Sequence, residues 1–349
     1  MPDRLLGSAE VLATRYDVAL LDLDGVVYVG RDEVAGASAA LAAARARGMR
    51  LAFVTNNAAR SPSVVAAHLS ELGVPATPDE VITSAQAAAH YLAERLPAGA
   101  RILVLGTTGL VEALTERGLV PVSSADDQPA AVVQGYSPDA NWQMLAEGAV
   151  AIRRGVPWVA TNLDATVPSP RGPLPGNGSL VAALRHATGV SPVSTGKPDP
   201  TMHRETVERS RAERPLVVGD RLDTDIEGAN AAGCASLLVL TGVTTASDLL
   251  AAPELQRPGY VAHDLGGLLT THRAPVDADG GFVCGSWIAT ARGGRLHLAR
   301  VPSDPGSDAG DSPMDALRGL CLAAWNSQAS TCVADDELAQ KALAELSLA

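Results

Sequence analysis

The apolar run "VALLDLDGVVYVG" (18–30) ends in two aspartates one residue apart, Asp22 and Asp24, followed by Gly25. In an extended chain residues i and i+2 face the same way, so these carboxylates converge on one point. Like charges that close are costly unless a cation neutralises them. Other polar groups also follow apolar runs: Thr55, Asn56 and Asn57 after "RLAFV", and Asp220 in "VVGDRLDTD". Lys197 lies in the turn "STGKPDP", before a helical stretch. In open α/β sheets ligands bind beyond the carboxyl ends of the strands, where these residues are expected to fall. Carboxylates, backbone carbonyls and waters make the oxygen shell that Mg²⁺ takes. A metal, a carboxylate free to act as nucleophile, and NH, OH and ammonium donors together suit a phosphate oxyanion.

Each piece alone has an ordinary reading. An Asp pair is often a solvated turn, and a lone lysine is usually on the surface. "DTDIEG" (223–228) echoes the start of a calcium loop, but its twelfth position is Cys234 rather than Glu, which argues against an EF-hand. His68, His90, His186, His203 and His263 lie in or beside helical runs and read as surface or packing residues. The chemistry is carried by the combination, at successive strand ends and one turn.

The elements that must position these groups alternate between β-type apolar runs and Ala-rich helical stretches, the pattern of a parallel sheet covered by helices. Strands are expected at 18–24, 50–57, 101–106, 130–135, 157–162, 215–220 and 235–242, and helices at 38–48, 61–73 and 223–232. Turn-rich loops are expected at 124–129 and 167–178, and two short strand-like runs, a loop at 302–313 and helices after about 275.

DLDGVVY, TNN, GKPDP and GDRLDTD together resemble the four motifs of the haloacid-dehalogenase superfamily of aspartate-dependent phosphatases. The TNN form and the long interval before Lys197 resemble the branch with a large type-2 cap, which includes nitrophenyl-phosphatase-like, phosphoglycolate, glycerol-phosphate and pyridoxal-phosphate phosphatases. The resemblance covers residues 15–270. It implies a nucleophilic Asp22 that forms an aspartyl-phosphate, and Asp24 as general acid and then general base. Asp22, Asp220 and the backbone carbonyl of Asp24 would ligate Mg²⁺, with Asp225 behind them. Thr55, Asn56, Asn57 and Lys197 would hold the phosphate oxygens.

The implied fold is α/β: a Rossmann-like core with a parallel sheet, an inserted α/β cap, and a small C-terminal α/β appendage. Thr55 and Lys197 are 142 positions apart, far more than one βα unit requires. The expected division is a discontinuous core, 1–83 and 193–272, a cap, 84–192, and an appendage, 275–349. A cap closing over the site excludes water and selects the leaving group. The family implies a specificity loop beginning at Asp164; here its tip is Ala165, Thr166 and Val167, with no aromatic or histidine to stack on a ring. That favours a small aliphatic phosphate, such as glycerol 3-phosphate or phosphoglycolate, over pyridoxal phosphate; glycerol 3-phosphate is the first expectation, with phosphoglycolate and pyridoxal phosphate as alternatives. The appendage resembles part of an acetyltransferase-like α/β fold but lacks the Arg-x-x-Gly-x-Gly/Ala phosphate loop, so it reads as non-catalytic, serving oligomerisation or regulation.

The 349 residues carry a net charge of −12, which argues against nucleic acid or an anionic membrane as partner. The N-terminus has no apolar core of signal-peptide length, no stretch approaches a membrane span, and four cysteines without CxxC spacing read as free thiols. The expectation is a cytoplasmic enzyme. A phospho-signalling receiver or a non-catalytic phosphate binder is the competing class. A receiver lacks both the long insertion and the second aspartate after its phosphoacceptor.

Overall fold

All four residues of the strand Val18–Leu21 are buried, as expected of a run covered on both faces. In the computed structural model, which describes residues 5–167, 171–172, 174–278, 280–301 and 312–349, the chain forms two compact units. One contains the chain up to Val29, Glu33–Leu51 and Ala212–Ala349; the other contains Gly30–Asp32 and Ala52–Arg211.

In the first unit Val18–Leu21, Pro215–Gly219, Ala235–Val239 and Tyr260–Ala262 pair in that order, all parallel. Register is set by Val18 opposite Pro215, Leu216 opposite Ala235 and Leu237 opposite Tyr260. The common direction brings Asp22 and Asp220, each the residue after its strand, to the same edge. The helix Ala37–Ala46 buries Ala37, Ala40, Leu41 and Ala44, a stripe at i, i+3, i+4 and i+7, and packs on the turn Leu265–Leu269.

The C-terminal part of this unit is more sheet-rich than its sequence suggests. Where two strand-like runs are expected, five strands form one sheet: Val276–Ala278, Gly281–Cys284, Trp287–Arg292 and Arg295–Arg300 are antiparallel neighbours, and Cys332–Ala334 adds in parallel. These strands are short and backed on one face only, so they show clipped alternation instead of apolar runs. The helix Pro313–Ser327 seats Leu317, Leu320, Cys321 and Ala324 in one cluster with Trp287 and Leu298 of that sheet and with Leu249, Leu250 and Val261. Most of the expected loop at 302–313 lies outside the described residues, as do positions 168–170 and 173 of the loop at 167–178.

In the second unit Val193–Ser194, Trp158–Ala160, Ala131–Gln134, Arg101–Leu105 and Val120–Val122 form a parallel sheet in that order. Apolar residues of Ser84–Ala93 and Thr108–Glu116 pack with Ile102 and Val133, and those of Trp142–Arg153 and Asn177–Thr188 with Leu103 and Val132. The strand Arg50–Thr55 begins in the first unit and continues into the second, where Phe53 to Thr55 pair in parallel with Val81–Thr83.

Candidate functional site

Carboxylate oxygens of Asp22, Asp220 and Asp225 lie within 4.8 Å of one another. Asp220 and Asp225 are fully buried and Asp22 is partly exposed. Backbone geometry makes the cluster. Asp22 donates its N–H to the Val218 carbonyl at 2.8 Å, continuing the sheet one residue past the strand. Asp220 Oδ2 accepts the Val243 N–H at 2.7 Å. Leu222–Ile226 is a π-helical turn, a distortion often found at functional sites, and it turns Asp225 back so that its Oδ2 accepts the Arg221 N–H at 3.1 Å. The reading from sequence sets Asp225 behind the metal ligands; its carboxylate belongs to the same cluster as theirs.

Three carboxylates this close and this buried repel one another, and such a set persists when a cation compensates it. All the donors are hard oxygens, which fits Mg²⁺ or Ca²⁺ and not a thiolate-seeking metal. Asp24 is exposed at the mouth of this strand end, in a turn where the Gly25 N–H donates to the Tyr28 carbonyl at 2.8 Å.

The second unit gathers the other expected residues. Thr55 ends its strand, buried, and its Oγ1 accepts the Asn57 N–H at 3.1 Å. Asn57 is exposed, and its Oδ1 accepts the Ala59 N–H at 2.8 Å. Lys197 is only 3% exposed, and its Nζ donates to the Val54 carbonyl at 3.2 Å. Beside it lies His203, fully buried. Burial first, and the Lys197 charge second, push its imidazole down to about 3, so it is neutral at physiological pH. It is a packing residue, as its helical position suggests.

Asn56 ties these groups together. Its Oδ1 accepts the Lys197 N–H at 2.9 Å, and its Nδ2 donates to the Lys197 carbonyl at 3.2 Å and to the Asp164 carboxylate at 3.2 and 3.3 Å. Its own carbonyl accepts from Ser84 Oγ at 2.6 Å and from Asn162 Nδ2 at 2.7 Å. The amide expected to hold a phosphate oxygen thus makes three contacts that organise the protein. Ala165 and Thr166 are exposed, with Thr166–Val167 pairing antiparallel to Leu174–Pro175.

Asn177, buried, escapes a reading based on composition because an asparagine in a Gly/Pro-rich stretch looks like a turn residue; Asn162, also buried, closes the strand expected at 157–162 but belongs to none of the four motifs. The available signal is "GNG" at 176–178. A Cβ on Gly176 would lie 2.4 Å from the Asp164 carbonyl oxygen, and one on Gly178 2.2 Å from that of Leu163, so the loop rides directly on the helix start.

Motif order, parallel strand ends and a carboxylate cluster define a class. The chain belongs to the haloacid-dehalogenase-like hydrolases and is a phosphoric monoester hydrolase of that family. Residues 19–120 match the haloacid dehalogenase-like hydrolase family, 194–268 a HAD-hydrolase-like family, and 284–348 a GCN5-related N-acetyltransferase like domain. The chain is 45% identical to the D-glycerol 3-phosphate phosphatase of Mycobacterium tuberculosis over 97% of its length and 96% of the relative's. It is 38% identical to an acid sugar phosphatase of Staphylococcus aureus over 67% of the chain and 90% of the relative. The crystal structure of the M. tuberculosis glycerol phosphate phosphatase in complex with magnesium superposes with a TM-score of 0.88, covering 97% of this chain and 99% of that one at 45% identity. A p-nitrophenyl phosphatase from Archaeoglobus fulgidus gives 0.68 at 30% identity, over 73% of this chain and 98% of that one, and so lacks a counterpart for the remainder.

Proposed function

We propose that this enzyme hydrolyses glycerol 3-phosphate in a Mg²⁺-dependent reaction through a phosphoryl-aspartate at Asp22. The observation that carries the reading is the cluster of Asp22, Asp220 and Asp225 at one sheet edge. The substrate rests on the full-length similarity to a D-glycerol 3-phosphate phosphatase and on the small Ala165–Thr166–Val167 loop tip.

Asp22 is the nucleophile: one carboxylate oxygen attacks phosphorus and the glycerol oxygen departs. Asp24, entering protonated, donates its proton to that leaving oxygen. As a carboxylate it then takes a proton from water, whose oxygen attacks the same phosphorus, releasing phosphate and restoring Asp22. Thr55 and Lys197 hold the phosphate oxygens, Asn57 closes the loop around Thr55, and Asn56 orients Lys197. Asp22, Asp220 and the Asp24 carbonyl are the metal ligands, with Asp225 supporting them. Mg²⁺, when bound, supplies positive charge against these carboxylates and the phosphate oxygens. Because general acid–base catalysis contributes only ~10²–10⁴-fold, most of the large acceleration that phosphate monoesters require rests on charge and positioning.

In this reading residues 84–192 act as a cap carrying the specificity loop at Asp164–Val167, 1–83 and 193–272 form the catalytic core, and 275–349 serve a structural role. The four free cysteines support a reducing, cytoplasmic setting, and among the described residues no helix is long and apolar enough to cross a membrane. Phosphate release from glycerol 3-phosphate, phosphoglycolate and pyridoxal phosphate, with and without chelator, tests the proposal. Highest kcat/KM on glycerol 3-phosphate, abolished by EDTA and restored by Mg²⁺, is expected. A higher value on either competitor would overturn the substrate, and full activity in EDTA the metal.

A further inference from the structure

Three asparagines join the loop at Asp164 to the turn at Lys197. Asn177 Nδ2, 1% exposed and at the first turn of its helix, donates to the Asn162 carbonyl at 2.8 Å. Asn162, 4% exposed, donates from Nδ2 to the Asn56 carbonyl at 2.7 Å and accepts the Asp164 N–H on Oδ1 at 3.2 Å. Asn56 passes the connection on to the Lys197 backbone and to the Asp164 carboxylate. The same helix start grips the loop from the other side: the N–H groups of Gly176 and Gly178 donate to the Ala165 and Asp164 carbonyls, each at 2.8 Å, and Ser179 Oγ donates to the Ala165 carbonyl at 2.7 Å.

Burying amide side chains costs free energy unless their hydrogen bonds are made. Of the four bonds made by the Asn162 and Asn177 side chains, three end on the backbone of Asn162, Asp164 or Asn56, and the fourth runs from Asn177 Nδ2 to the Gln134 carbonyl at 3.4 Å. The outcome is a tip exposed at Leu163, Ala165 and Thr166 on a base that is fixed and dry, the arrangement a selective contact requires. We propose that Asn162 is a specificity-positioning residue: it sets Asp164 and the loop tip relative to Lys197, so that leaving-group selection and phosphate binding share one support. This rests on the reading of Asp164–Val167 as the loop that meets the leaving group.

The test uses the full-length protein with Mg²⁺ and two substrates, glycerol 3-phosphate and p-nitrophenyl phosphate. Asn162→Ala removes both side-chain bonds; the isosteric Asn162→Asp keeps the acceptor for Asp164 and loses the donor to Asn56, and decides the matter if the alanine variant does not fold. The kcat/KM ratio of glycerol 3-phosphate to aryl phosphate should fall about tenfold, chiefly through KM for glycerol 3-phosphate, the scale of one or two hydrogen bonds. A purely structural role moves melting temperature and depresses both substrates alike; an unchanged ratio overturns the proposal whatever the stability. A wild-type protein that ignores glycerol 3-phosphate but hydrolyses another aliphatic phosphate overturns the substrate assignment instead, and the ratio is then read with that ester.

Discussion

Gly25 and Asp220 compete for one volume: a Cβ placed on Gly25 would lie 2.6 Å from Asp220 Oδ2. Gly25 also has φ of +85°, and its carbonyl accepts from Thr241 Oγ1 at 2.6 Å, so the turn after the paired aspartates is fixed. Gly242 approaches the same carboxylate from another side, where a Cβ would lie 2.0 Å from Oδ2. Glycine here is what lets a buried carboxylate reach Asp22. Gly25→Ala should therefore cost ~1–3 kcal/mol in strain and displace Asp220. The Mg²⁺ concentration for half-activation should rise and kcat/KM fall by about 10²-fold, the scale of a 1 Å misplacement. Wild-type activation by Mg²⁺ in this variant would contradict the account.

His203 makes stability depend on pH in one direction. Its folded value, about 3, lies below its ordinary 6.5, so the unfolded chain binds the proton more readily. Its contribution is therefore fully present above about 6.5 and is lost as pH falls toward 3, at up to ~1.4 kcal/mol per pH unit. Burial also pushes His272 down, which acts in the same sense. Urea midpoints at pH 7.5 and pH 5 should differ less for His203→Leu than for wild type. Equal losses on acidification would show that His203 does not stay neutral in the folded chain.

The C-terminal sheet is locked by a buried charge cluster. Asp315 accepts from Arg318 at 2.6 Å and from Arg273 at 2.7 Å. Arg318 also donates to the Val261 carbonyl at 2.8 Å and contacts His272 Nδ1 at 3.3 Å, while His272 Nε2 meets the Gly267 carbonyl at 2.8 Å, partners that assign the Nε2–H tautomer. Asp315→Ala leaves Arg318 buried and unpaired and should cost ~3–5 kcal/mol, whereas Arg273→Ala, half-exposed, should cost under ~1 kcal/mol. Cys284 reports the difference. Burial pushes its thiol up to about 12, so it should resist thiol reagents in wild type and react in Asp315→Ala. Equal stability of the two variants would show that the cluster is not what holds the sheet in place.

Much of this was legible in the sequence because strand ends advertise themselves. An apolar run stopping at Asp22, Thr55 or Asp220 marks both the element and the residues it presents, and the parallel register then needs no further information. The tail was less legible. Trp287–Arg292 and Arg295–Arg300 bury one face only, so Arg, His and Thr interrupt them, and Cys332–Ala334 is a partner no local pattern announces. Asn177 and Asn162 were invisible for other reasons: the local context of Asn177 reads as a turn, Asn162 ends an expected strand but belongs to none of the four motifs, and the burial of both comes from tertiary packing. Asp225 was visible as an aspartate, but its place beside Asp22 and Asp220 depends on a π-helical turn that its residue types do not encode.

The central claim is that phosphate passes through Asp22, and the most direct measurement is the mass of the trapped enzyme. Asp24→Asn leaves the nucleophile in place but removes both the acid that protonates the leaving oxygen and the base that activates water, so intermediate should accumulate from p-nitrophenyl phosphate, whose leaving group departs without a proton. This variant, mixed with p-nitrophenyl phosphate and Mg²⁺ and quenched in acid within one turnover, should carry one phosphoryl group on the peptide containing residues 18–30, at Asp22. The Asp22→Asn variant should carry none and show no turnover above background. An Asp24→Asn enzyme that releases phosphate with no adduct at any time point, or an adduct on a residue other than Asp22, would contradict the account.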